Sequence, residues 1–169
     1  MKKYQLILVI IVVLLVIFSS LYLILDRSEE VTDDRNIQLY FSTPDAMYLQ
    51  PEERSITTDQ PYRDTLILLI EGPETAGLNK TIPKGVKLLE IKVDEGTAEV
   101  NFSKELAANH WGGSAGERLT IYSIVNTLTQ FQEIERVQIL LDGENVETLV
   151  GHMDLSRPLE RNREIIKNP

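Results

Sequence analysis

Gly112-Gly113-Ser114-Ala115-Gly116 fits the G-x-S-x-G pattern of a serine nucleophile, in which the hydroxyl attacks a carbonyl while a histidine takes its proton. His110, His152 and Asp142 are the residues that would complete such a set. The pattern works only where the serine follows a strand and sits on top of a large α/β sheet. Lys104 to Trp111 has no strand pattern, and the chain beyond residue 25 is too short for that fold. A helix beginning at Ser114 accounts for the same residues. The Ser114 hydroxyl would accept from the third helical N–H while Glu117 reaches back, a capping box. Ser114 and Glu117 are therefore expected to be structural, and no catalytic residue is assigned.

Metal chemistry finds no better footing. His110 and His152 are far apart and have no cysteine or further histidine to complete a ligand set, so they read as loop polar groups. The carboxylates are scattered, with no pair poised for acid–base work. Neither a phosphate-cradling loop nor a dinucleotide fingerprint is present, and no cofactor or metal is expected. Trp111, in Asn109-His110-Trp111-Gly112-Gly113, is the most suggestive single residue: either a lid that finishes covering the core or a binding anchor. Loop aromatics commonly close a small core, which favours the lid; Trp111 and His110 remain the candidate interaction residues.

The 169 residues carry 17 basic and 26 acidic side chains, for a net charge of −9. Lys2 and Lys3 are the only charges before Asp26, so the remainder is more acidic than the whole. Such a domain is a poor ligand for nucleic acid, whose phosphates are neutralised by Lys and Arg. No cysteine is present, which removes disulfides, thiolate sites and a lipid-modified cysteine. Tyr4 to Leu25 is uncharged and would span about 33 Å as a helix, close to the roughly 30 Å of a bilayer core. A cleaved signal peptide is the alternative, but Leu21 to Leu25 continues the apolar run past Ser19-Ser20. The expectation is a transmembrane helix over 4–25, with Lys2 and Lys3 holding residues 1–3 in the cytoplasm and the domain outside. Residues 26–36 read as a linker.

The elements follow from periodicity. Ile37 to Phe41 alternates as a strand, and Ser42 to Thr58, with Pro44 and Pro51, reads as a long connection whose Met47, Tyr48 and Leu49 tuck against the body. Pro61 opens a helix capped by Asp59 or Gln60 and ended by Gly72-Pro73. Leu89-Ile91-Val93 and Ala98-Val100-Phe102 flank Asp94-Glu95-Gly96 as a β-hairpin. Ile121, Ile124, Val125, Leu128 and Phe131 form a helical stripe. Val137, Ile139 and Leu141 make another strand before Asp142-Gly143, Val146 to Val150 suggest a short last one, and the chain ends in an irregular tail. The order β-α-β-β-α-β(-β) implies an α+β, two-layer sandwich, a small mixed β-sheet with two helices on one face, preceded by one transmembrane helix.

Several runs stand in register. They are Leu69-Ile70-Glu71-Gly72-Pro73, Gly77-Leu78, Ile82-Pro83-Lys84-Gly85, Val100-Asn101-Phe102-Ser103, Ser123-Ile124-Val125-Asn126-Thr127-Leu128 and Val137 to Gly143. Glu147-Thr148-Leu149 and Gly151-His152-Met153-Asp154-Leu155 follow. Together they resemble the GerMN domain, a sporulation and germination module of spore-forming Gram-positive bacteria, over about residues 37–160, leaving 161–169 as a tail. The resemblance implies a fold similar to the ring-building motifs of sporulation channel proteins. It also implies a non-enzymatic, extracytoplasmic domain at the cell membrane that binds envelope or sporulation-complex proteins, with homo-oligomers allowed. Because such domains also accompany cell-wall amidases, a peptidoglycan-binding accessory module is the alternative. GerM itself resembles a lipoprotein with two tandem domains, whereas this chain has no cysteine and one domain. Gly72, Pro73, Asp142 and Gly143 would shape loops and turns, and Asn126 and Thr127 would tie a neighbouring loop to the helix.

Overall fold

The computed structural model describes residues 3–5, 13–16, 18 and 33–167. The chain divides into two units, Met1–Val31 and Thr32–Pro169. In the first, the described residues are helical and exposed. The transmembrane helix expected over 4–25 is not found: no helix among the described residues is long and apolar enough to cross a membrane. The rest of that stretch lies outside the described residues. The fold expectation is corrected accordingly to an α+β domain, with no transmembrane helix among the described residues.

That domain runs β1 (Asp33–Ser42), β2 (Leu49–Thr58), α1 (Pro61–Glu71), β3 (Leu88–Asp94), β4 (Thr97–Phe102), α2 (Glu105–Ala108), α3 (Ser114–Leu128), β5 (Arg136–Leu141), β6 (Glu144–Asn145) and β7 (Leu159–Glu160). It has two sheets where one was expected. β1 and β2 form an antiparallel ribbon from Asp33↔Thr58 to Ser42↔Leu49. The second sheet has the order β3-β4-β5-β6, with β7 also on β5; only β4 and β5 are parallel. Both α1 and α3 contact both sheets. The core therefore draws on all of them, through residues such as Leu39, Phe41, Leu66, Val100, Phe102, Ile124 and Ile139.

β2 replaces the expected connection, and its proline explains how it was concealed. Pro51 has no N–H and is tolerated in a ladder only where none is needed. Its partner Tyr40 turns its own N–H away from β2, to Oγ1 of Thr127 on α3 at 3.2 Å. Gln130 closes the same edge of β1, accepting from the Gln38 N–H at 2.7 Å and donating to the Gln38 carbonyl at 2.9 Å. Asn79 pairs with Ser42 in both directions. The edge of β1 is thus satisfied by side chains and a loop instead of a third strand. Of the residues expected to tuck in, Leu49 is fully buried, but Met47 and Tyr48 are exposed.

α1 begins at Pro61, with Gln60 in the capping position but no side-chain cap; Thr58 instead donates to Asp64 at 2.5 Å and accepts from the Gln60 N–H. The hairpin β3–β4 turns through Glu95 and Gly96, and β5–β6 through Asp142 and Gly143, each pair at positive φ. Two consecutive left-handed residues give the turn whose twist matches that of the strands. Val146 to Val150 is not a strand. The apolar stripe of α3 is buried as its spacing implies.

α3 is enclosed on nearly every side, so its polar residues must find partners inside the protein. Thr120 donates to the Thr81 carbonyl at 2.6 Å, and Ser123 to the Thr120 carbonyl at 2.8 Å. Asn126 both donates to the Asn162 carbonyl and accepts its N–H, fastening the C-terminal segment. That segment seats Ile165 against Tyr40, Leu49 and Leu119, and its main chain pairs with Leu49 on β2.

Candidate functional site

α2 is one turn long and is pinned by Leu106, which has no exposed surface. It delivers Asn109, whose side chain donates to the Lys84 carbonyl at 2.9 Å, and then His110. The His110 Nδ1 accepts from the Gly112 N–H at 2.9 Å, so the ring proton resides on Nε2, which reaches Oγ1 of Thr120 at 3.1 Å. Burial lowers the pKa of this imidazole, against the opposing charge of Glu117 and a main-chain contact with Gly116. Both ring nitrogens are committed in the neutral form.

Trp111 stacks on that ring, centroids 4.9 Å apart and planes 27° apart, and is 54% exposed. Its edge lies against the first turn of α3 because residue 116 is glycine: a Cβ there would stand 2.5 Å from the indole Nε1. Gly112 and Gly113, both at φ 80°, carry the chain from the indole into the helix. The indole borders a cleft of 250 Å³ that also involves Ser42, Ala46, Asn79, Lys80 and Leu119. Ala46 belongs to the β1–β2 turn, which carries the exposed Met47 and Tyr48. Trp111 is thus an outward-facing, preset aromatic and not a cover over the core.

The expected capping box does not form. Gly113 is the residue before α3, Ser114 is its exposed first residue, and no side chain caps that end. Glu117, with no exposed surface, points elsewhere. Its Oε1 accepts from the Thr148 hydroxyl at 2.7 Å and the N–H groups of Leu149 and Val150 at 2.9 and 3.1 Å; its Oε2 accepts from the His152 N–H at 2.8 Å. Burial would raise its pKa, and these donors outweigh that and lower it. Glu117 is the clasp of the segment that was expected to be a last strand.

The other sequence candidates are dispersed. Asp142 accepts the Lys104 N–H at 3.3 Å, His152 is exposed, and no hydrogen bond joins Ser114 to either histidine or to Asp142. No group of His, Asp and Glu that could hold a metal occurs among the described residues. Gly72, at φ 99°, ends α1, and the stem of Lys80 lies where a side chain would project.

A second buried carboxylate carries no signal in the sequence. Glu52 on β2 accepts from Arg54 at 2.6 Å and from the N–H groups of Glu74 and Thr75, while Arg54 also donates to the Gly72 carbonyl. Burial opposes ionisation, but these donors hold its pKa at about 2. A run of charges in a strand normally signals a solvated face, so nothing local marked Glu52 as internal.

The sequence profile of the Germane family, described as sporulation and spore germination, matches residues 38–147. The chain belongs to the Germane family. The resemblance drawn from the runs in register is therefore borne out. Among solved structures, this Germane domain is 32% identical to a protein from Clostridium perfringens described as a lipoprotein, over 78% of this chain and 89% of that one, with a TM-score of 0.56. The tandem GerMN domains of the sporulation protein GerM from Bacillus subtilis match 76% of the chain at 20% identity and a TM-score of 0.66; the chain spans 46% of that protein. The first GerMN domain of GerM alone matches 77% of the chain and 98% of its own length at 18% identity, with a TM-score of 0.59. No curated protein matches the chain. The Germane match takes in Trp111, Gly116 and Glu117 but stops short of Leu149 to His152, which Glu117 holds.

Proposed function

We propose that this Germane domain is a non-enzymatic, extracytoplasmic protein-interaction domain at the cell membrane of a Gram-positive bacterium, serving sporulation, germination or envelope assembly. It docks envelope or sporulation-complex proteins through the face around Trp111. The observation that carries this reading is the exposed indole, preset by His110 and Gly116 beside a cleft whose neighbouring turn displays Met47 and Tyr48. Trp, Tyr and Met are enriched at the centres of protein interfaces, and an anchor held rigid before binding loses little entropy on docking. The description of the Clostridium relative as a lipoprotein supports the extracytoplasmic position. The fixed, neutral His110 supports a binding role over proton transfer.

The Asn79 and Lys80 side of the cleft favours a second reading, in which the indole and these polar groups bind peptidoglycan glycan. Affinity capture of the full chain from vegetative and sporulating cells, beside Trp111→Ala, separates the two. Proteins recovered by the parent and lost by the variant support docking. Identical recovery by both overturns it, and recovery of wall fragments alone favours the second reading.

A further inference from the structure

We propose that the concave surface lined by Thr129, Gln130, Arg161, Arg163 and Ile166 binds an oxyanion, a carboxylate or a phosphate group. It encloses 550 Å³. In a chain of 26 acidic and 17 basic residues, this surface presents two arginines and no carboxylate. The concavities at Glu147 and Asp154 and at Asp59 and Glu90 both carry acids. Arg161 is held ready. Its Nη1 donates to the Asn126 carbonyl at 3.0 Å, its Nη2 to the Tyr40 hydroxyl, and the guanidinium lies 5.2 Å from the centroid of the Tyr40 ring. Those two bonds leave three of its five donors. Arg163 is exposed, and its side chain has no hydrogen bond or ion pair among the described residues. A planar guanidinium matches the paired oxygens of carboxylate and phosphate better than an ammonium does.

The C-terminus of α3 lies at this surface, and its dipole disfavours an anion. Its last carbonyls are already engaged: Val125 by Thr129, Asn126 by Arg161, Thr127 by Gln130 and Leu128 by the Phe131 N–H. The residual partial charge, about half a unit, is outweighed by two full cations. Both arginines lie beyond residues 38–147, while Thr129 and Gln130 fall within them.

The test titrates the full chain at constant ionic strength with inorganic phosphate, with a short Glu-containing peptide blocked at both termini and with its equally blocked Gln counterpart, following arginine Nε–H resonances. Arg163→Gln and Arg161→Gln are titrated alongside. Arg163→Gln is expected to retain the fold, since the side chain is exposed and makes no hydrogen bond or ion pair. The expected result is saturable millimolar binding of phosphate or of the Glu peptide, none of the Gln peptide, and weakening of about fivefold or more in Arg163→Gln. Tighter phosphate points to a phosphate-bearing polymer or headgroup, and tighter Glu peptide to an acidic protein segment. Non-saturating shifts, equal binding by Arg163→Gln, or no response to either probe overturns the site.

Discussion

Gly116 and Trp111 share one space: the indole Nε1 stands 2.5 Å from where a side chain on residue 116 would begin. Gly116 lies in the first turn of α3 at an ordinary φ, so alanine would be favoured there by helix propensity, by up to about 1 kcal/mol. Gly116→Ala should therefore fold with a thermal midpoint equal to or above that of the parent while pushing the indole off its seat. Trp111 is the only tryptophan, so intrinsic fluorescence reports its environment directly. A changed emission maximum with lost partner capture is expected; an unchanged spectrum would show that the seat is not set by residue 116.

Glu117→Gln keeps the shape of the side chain and removes the charge that the Thr148 hydroxyl and the N–H groups of Leu149, Val150 and His152 address. The amide nitrogen would face a donor in place of an acceptor. The expected loss is about 2–4 kcal/mol, from charge-assisted bonds in a buried setting. Hydrogen exchange should rise first at residues 149–152, while β4 and β5 stay protected. Uniform exchange across the domain would mean that the clasp does not act locally.

Which features could be read from the sequence depended on how far away their partners lay. The β3–β4 hairpin and the apolar stripe of α3 were legible because alternation and helical spacing are local signals. β2 was not, since Pro51 is acceptable only because Tyr40 faces Thr127, and Glu52 is buried only because Glu74 and Thr75 supply donors. The sequence marks Glu117 as structural but points to the wrong partner. A local capping box was the nearest explanation, and the true donors begin at Thr148. At the candidate site, Trp111 and His110 could be singled out by type. The exposure of the indole could not, because it follows from packing on Gly116 and from two left-handed glycines.

Acid should expose the contribution of Glu52. Its pKa falls from the ordinary 4.5 to about 2 on folding, so the stabilisation is complete above pH 4.5 and disappears as pH drops through about 2. The shift corresponds to about 3 kcal/mol. Urea unfolding of the parent and of Glu52→Gln at pH 7, 4 and 3 should give a gap that is widest at pH 7 and narrows steadily. Glu117, also lowered, adds a slope of the same sign that remains in the Glu52→Gln protein. A gap that does not change between pH 7 and pH 3 would refute the assignment.

Asn126 holds Asn162 by two hydrogen bonds, and the segment it fastens covers Tyr40 and Leu49 with Ile165. Asn126→Ala leaves the Asn162 N–H and carbonyl without those partners, at a cost of about 1–3 kcal/mol. The same release would uncover the edge of β2 at Leu49, whose N–H and carbonyl are otherwise taken by Ile165 and Lys167. An uncovered strand edge invites pairing with another chain. The variant should therefore lose stability in urea and also gain concentration-dependent association in sedimentation velocity. Lost stability without association would place the role of the segment in packing alone.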